Sequence, residues 1–206
     1  MKFDILWQTC KPYLEKGRAI DLVHTRISTD LAWRLLREGV GGDEAVVIPA
    51  VMLHDIGYSQ IDDKDLYEKT TFPDKANAQY DVRVKELHLT EGAKLAEKIL
   101  KELQYPSSLI PPIVEIVRTH EDLQGNKPDP SNMNRVIVSD ADKLYRYTAY
   151  NITSGMAMHH RKREEAFWFM FKNIDTWLCL ETSKRIAIEE LRKLPYDFWP
   201  VNKELF

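Results

Sequence analysis

The sequence predicts an all-α protein, and three observations predict it. Apolar residues recur at steps of three and four along nearly the whole chain, the period of amphipathic helices and not of strands. Only eight glycines occur in 206 residues, about half the usual ~7% frequency, so turns are few for the length. A hydrophobic fraction of 44% beside 30% charged residues can bury a core and excludes a disordered chain. No internal repeat, low-complexity tract or linker breaks the pattern, and the length suits one large domain.

The elements follow in order. Ile20, Val23, Ile27, Leu31 and Leu35 form one stripe of a helix that Gly39, Gly41 and Gly42 end. Asp43 is placed to cap the next helix, which carries Val47, Val51 and Leu53 and stops near Gly57. Pro49 lies inside it, so this helix starts late or kinks there. From Tyr58 to about Val82 the period fails, and polar residues, Pro73 and scattered aromatics mark a connection long enough for a lid or short helical turns. Helix resumes from Glu86 to Leu103, burying Ala93, Ala96, Ile99, Leu100 and Leu103. Pro111 or Pro112 opens the next helix, with Ile113, Ile116 and Val117 facing in. Gly125 to Asn132, with Pro128 and Pro130, is a loop, and Val136 to about Tyr150 reads as helix. Glu164 to Leu194 reads as one or two aromatic-rich helices, with Phe167, Trp168, Phe169, Phe171 and Trp177 assigned to the core. Pro195 and Pro200 mark a final tail or packed strap.

Charge and apolar runs narrow the function classes. Lys and Arg number 29 against 32 Asp and Glu, a net charge of −3, which lacks the basic excess needed to grip nucleic acid as a polymer. A small basic pocket for a phosphorylated ligand remains compatible with it. The longest apolar run, Ala45 to Leu53, is nine residues, too short to span a bilayer. The N-terminus lacks the long apolar segment of a signal peptide. The expectation is a soluble cytoplasmic protein with no membrane partner. Cys10 and Cys179 are too few for a disulfide framework and lack zinc-ligand spacing, so both are read as small hydrophobes.

The chemistry lies in the histidines. Of six, His24, His54, His88 and His120 are spaced by 30, 34 and 32 residues, about one helix plus a loop each, and each sits on or beside an apolar stripe. Inward imidazoles on successive helices of a bundle can meet at one place, as metal ligands do. Asp55 adds a carboxylate beside His54, and Asp140 and Asp142 add more in a later helix. Four imidazoles with inward carboxylates and no thiolate suit manganese, iron, zinc or, less well, magnesium, and argue against a structural zinc knot. A carboxylate adjoining one histidine can bridge two ions, as dinuclear hydrolytic sites require.

In this order, His24, Leu53-His54-Asp55-Ile56-Gly57, Leu87-His88-Leu89-Thr90-Glu91-Gly92-Ala93, Val117-Arg118-Thr119-His120 and Ala141-Asp142-Lys143-Leu144 resemble the HD-domain superfamily of metal-dependent phosphohydrolases. The resemblance spans roughly residues 20–150, and Thr182 to Ala187 is similar to the terminal helix of small bacterial members. It implies a single HD-type helical bundle over residues 1–206, with the motif-bearing core at about 20–150 and C-terminal helices 151–206 packed on it. It implies that His24, His54, Asp55 and Asp142 hold one divalent metal. Asp142 is preferred to Asp140 because the family's ligand is the acid of an Ala-Asp-x-Leu setting, and Asp140 would then support it. His88 and His120 resemble the extra pair of two-metal members, with Asp55 bridging. The implied cofactor is one or two divalent ions. The same extended set occurs in the HD-GYP phosphodiesterases and the HD-type diadenosine tetraphosphate hydrolases. Here Tyr58 follows Gly57 where many of those relatives place a lysine, and the Gly-Tyr-Pro signature is absent.

The implied activity is hydrolysis of a small phosphorylated substrate, a nucleotide or phosphoester, by hydroxide formed on the metal. Asp55 and Lys143 are the catalytic candidates. Lys143, beside Asp142, is favoured as the phosphate clamp over Arg26 and Arg118, which fall on other helical faces than His24 and His120. Asp62, Asp63 and Asp65 are candidates for general acid. The run His159-His160-Arg161-Lys162-Arg163 reads as a polar helix start in preference to a second phosphate site. Two other functions share the ligand set: a di-iron HD-fold oxygenase acting on a polyol or phosphonate, and a metal-stabilised module without turnover. Iron dependence and oxygen consumption distinguish the first.

Overall fold

The chain is described by a computed structural model over residues 2–62, 78–121, 127–159, 162–195 and 198, and every regular element among these residues is helical. The first helix, α1 (Lys2–Lys16), lies ahead of the stripe from which the sequence reading began. It buries Leu6, Cys10 and Leu14, one side chain per turn. Then come α2 (Asp21–Arg37), α3 (Glu44–Leu53) and a 3-10 helix at Ile56–Gln60. They are followed by α4 (Ala78–Glu102), α5 (Ile110–Thr119) and α6 (Met133–Leu144).

The central element is α3. Every residue from Val46 to Leu53 is buried, as expected of a helix that is apolar all round. It packs against α1, α2, α5 and α6, while α4 packs along α5 and the 3-10 helix. Asp43 caps it as foreseen, accepting the Ala45 backbone N–H at 2.9 Å. The chain reaches that cap through Gly41 and Gly42, at φ +89° and +88°, a region that favours glycine. Pro49 neither delays the helix nor ends it. Proline has no N–H to give the carbonyl four residues back, and that carbonyl, Ala45 O, instead accepts from the Tyr105 hydroxyl at 2.7 Å.

Three boundaries differ from expectation, and the first is that α4 opens at Ala78, eight residues ahead of the expected Glu86 and inside the stretch read as irregular. The helix read as Val136 to Tyr150 stops at Leu144 and passes through a 3-10 turn, Tyr145–Tyr147. Thr148 then becomes extended, its hydroxyl donating to Tyr145 O at 2.7 Å, a local bond that competes with helix continuation. After α7 (Ala149–His159), the stretch read as one or two helices forms three: α8 (Arg163–Lys172), α9 (Ile174–Trp177) and α10 (Glu181–Arg192). The aromatic run winds around α8. Phe167 is buried, Trp168, Phe171 and Trp177 are half-buried, and Phe169 is 39% exposed. Phe169 is therefore a surface residue and not a core one, because consecutive helical positions cannot all face one core. An ion pair from Arg34 of α2 to Glu189 ties α10 to the bundle. Among the described residues no helix is long and apolar enough to cross a membrane.

Tyr105→Phe is expected to lower unfolding free energy in urea by about 1 kcal/mol, the net worth of one hydrogen bond whose loss orphans a carbonyl. In a Pro49→Ala background the helix's own N–H replaces the hydroxyl, so the same substitution should cost less there.

Candidate metal centre

Six side chains converge from six elements. His24 lies on α2, His54 caps the C-terminus of α3, and Asp55 leads into the 3-10 helix. His88 lies within α4, His120 caps the C-terminus of α5, and Asp142 lies on α6. All six are more than nine-tenths buried. These are the metal-ligand candidates of the sequence analysis, and the fold brings every one of them together.

The two capping histidines are oriented in the same way. His54 Nδ1 lies 2.6 Å from Val51 O, and His120 Nδ1 lies 2.8 Å from Val117 O. A carbonyl can only accept, so Nδ1 carries the proton in both rings and Nε2 offers its lone pair to the pocket. His88 differs: it is fully buried, and neither ring nitrogen has a hydrogen-bond partner among the described residues. Such an orphan costs about 1–3 kcal/mol unless something satisfies it. Its ring lies flat on Tyr58, centroids 4.2 Å apart and planes 6° apart.

Asp55 lies between the histidine pairs, and its two oxygens divide between them. Oδ2 is 3.3 Å from Nε2 of His24 and 3.3 Å from Nε2 of His54. Oδ1 is 3.7 Å from Nε2 of His120 and 3.9 Å from Nε2 of His88. Asp142 Oδ1 completes the first group, 3.1 Å from His24 and 3.8 Å from His54. Two clusters able to hold an ion result, His24–His54–Asp55 and Asp55–His88–His120, with the candidate donor atoms in each within 4.8 Å of one another. The donor set and the orphaned His88 nitrogens fit divalent cations.

The electrostatics point the same way. Burial works against the charge on His54, but Asp55, its hydrogen bond and Asp142 outweigh burial and raise the imidazole to about 9. Burial also opposes ionisation of Asp55, yet the charges of His54 and Arg18 hold it well below the usual carboxylate range. Asp142 is likewise held low against burial, by its hydrogen bond to His24 and the charges of His24 and His54. Burial, then the neighbouring His120, pushes His88 well below the usual imidazole value. The pocket thus keeps two buried carboxylates ionised and favours positive charge beside them, the field of a cation site.

The other candidates fall elsewhere. Asp140, two residues from Asp142, accepts the backbone N–H groups of Cys179 and Leu180, each at 2.9 Å, and so anchors the segment leading into α10. Lys143 donates to Ser139 Oγ at 3.0 Å, one turn back on α6. Arg26 is exposed, and Arg118 is over half exposed beside Glu115. Asp62 is exposed, whereas Asp63, Asp65, His160 and Arg161 lie outside the described residues. Sequence reasoning missed Arg18, whose Nη2 donates to Asp55 Oδ2 at 2.7 Å. The available signal was Asp21, a carboxylate three residues before His24 and hence on its helical face. It also missed Tyr145, whose ring meets the His24 ring edge-on with centroids 4.5 Å apart. Gly57 allows α4 to approach: a Cβ there would lie 1.9 Å from His88 O and 2.6 Å from Gly92 N.

Residues 23–147 match the family model of the HD domain. No match is found among curated proteins or among solved structures.

Gly57→Ala is expected to cost about 3 kcal/mol in urea denaturation, at the upper end for overpacking, because the obstacle is backbone. The two acids of α6 should separate cleanly. Asp140→Asn should lower stability by about 2 kcal/mol by weakening charge-assisted bonds and leave metal content per chain unchanged. Asp142→Asn should lower metal content, measured by elemental analysis.

Proposed function

The chain belongs to the HD-domain family, largely metal-dependent phosphohydrolases, and we propose that it hydrolyses a small phosphorylated substrate, a nucleotide or phosphoester, at the Asp55 centre. The observation that carries this reading is the division of the Asp55 oxygens between two histidine pairs. His24, His54, Asp55 and Asp142 would hold one divalent cation, and Asp55, His88 and His120 a second. When bound, such cations supply Lewis-acid polarisation of phosphoryl oxygens and lower the pKa of water toward neutrality.

The chain's own contribution is positioning. The Val51 and Val117 carbonyls hold the His54 and His120 rings with Nε2 inward, which fixes ligand geometry before any substrate arrives. Burial of all six groups limits competing water and strengthens each charge interaction at the centre. Lys143 takes part in substrate binding only by exchanging its Ser139 contact for a phosphoryl oxygen. The acidic groups and the net charge of −3 leave small anions, not polymers, as the class drawn in by bound cations.

The test is release of phosphate and pyrophosphate from a panel of nucleotides and phosphoesters, comparing wild type with Asp55→Ala. Each is loaded with manganese, or with iron under argon. Metal-dependent release by wild type that falls to background in Asp55→Ala is the expected result. No release with either metal, joined to oxygen uptake by the iron-loaded protein on a polyol or phosphonate, would overturn it in favour of the di-iron oxygenase.

A further inference from the structure

Arg18 lies in the turn between α1 and α2, where it is tightly held. Its backbone N–H donates to Asp21 Oδ2 at 2.7 Å and its Nε–H to Asp21 Oδ1 at 2.7 Å. Asp21 is the first residue of α2 and is completely buried. Gly17 leaves the room this requires, since a Cβ there would lie 2.5 Å from Asp21 Oδ2 and 3.3 Å from Tyr58 Cβ. From this anchor the guanidinium reaches Asp55, Nη2 donating to Oδ2 at 2.7 Å, and lies 3.7 Å from the centroid of the Tyr58 ring. His88 is stacked on the same ring, centroids 4.2 Å apart.

Arg18 therefore bears on both halves of the pocket. Rotation of a carboxylate about its last bond is soft, so the Asp55 oxygens stay divided between the histidine pairs only if something fixes the carboxylate plane. The Arg18 hydrogen bond on Oδ2 does so. His88 lacks the carbonyl bond that orients His54 and His120, and the flat Tyr58 face takes that role. A guanidinium over the same ring holds the tyrosine in turn. Only a planar fork spans Asp21 and Asp55 together, and a lysine ammonium, a point charge, does not.

We infer that Arg18 is a positioning residue that keeps Asp55 in its bridging orientation and, through Tyr58, keeps His88 turned toward the centre, so that binding of a pair of cations depends on it. The inference rests on the metal-centre reading above. Direct capture of a substrate phosphoryl group by Arg18 is the competing role. It is disfavoured because Nε and Nη2 are already engaged by carboxylates and the side chain is only 24% exposed.

The test uses the full chain and manganese alone. Binding is measured by equilibrium dialysis with elemental analysis, and electron paramagnetic resonance reports whether two ions share a carboxylate through an exchange-coupled spectrum. Wild type, Arg18→Gln and Arg18→Lys are compared, with thermal melts to establish folding. Both variants should bind manganese about ten- to a hundredfold more weakly, the usual effect of removing a partner that orients a ligand, and lose the coupled spectrum. If Arg18→Gln does not fold, Arg18→Lys, which keeps the charge, decides the matter. Wild-type affinity and a coupled spectrum in the folded variants would overturn the inference. Failure of wild type itself to bind manganese would overturn the metal-centre reading and this inference with it.

Discussion

The structure is organised around one buried carboxylate. Removing an ionised acid from water costs several kcal/mol unless charges and hydrogen bonds surround it, and Asp55 has four imidazoles and one guanidinium within 4 Å. Each of those partners needs a helix in a given place. The end of α3 at Leu53 puts His54 and Asp55 on a turn and not on one helical face. The lack of a side chain at Gly57 lets the 3-10 helix lie against the α4 backbone, and that contact sets the depth of His88. The fully apolar α3 is the post against which the ligand-bearing α2, α5 and α6 lean.

The sixth helix joins this centre to the rest of the chain. Residues two apart on a helix point in widely different directions, so Asp140 and Asp142 face different neighbours although only Ala141 separates them. Asp142 looks to His24 and His54, and Asp140 to the backbone N–H groups before α10. One turn of helix thus carries an electrostatic role and an architectural one. A sequence pattern that highlights both acids does not separate them without knowing which way each points.

Most of the helical bundle was legible because apolar period is a local property. The Asp43 cap, the proline opening of α5 and the buried Leu31 and Leu35 of α2 are all read from neighbours in sequence, whereas Ile20, Val23 and Ile27 are only half-buried because polar residues about His24 take the inner face. The six candidates at the centre were legible because their order and setting carry the pattern. What escaped depends on partners distant along the chain. Arg18 meets Asp55 across 37 residues, and no local period announces it. The break at Thr148 turns on a hydroxyl choosing its own backbone over a helix. Phe169 shows the opposite limit: a residue type that favours cores, placed where the helix has no core left to face.

The bond from Tyr105 to the Ala45 carbonyl has a consequence for how the protein acquires its shape. A helix with proline in its middle is a poor independent structure, since propagation past that point lacks a ladder bond. The repair comes from a residue 60 positions later, beyond α4 and therefore available only after that long helix has docked. The central post of the bundle is thus completed by a non-local contact, whose formation carries the entropic cost of closing a loop. The innermost helix consequently waits on an outer turn for its last hydrogen bond, and maturation of the core is tied to arrival of the second half of the chain.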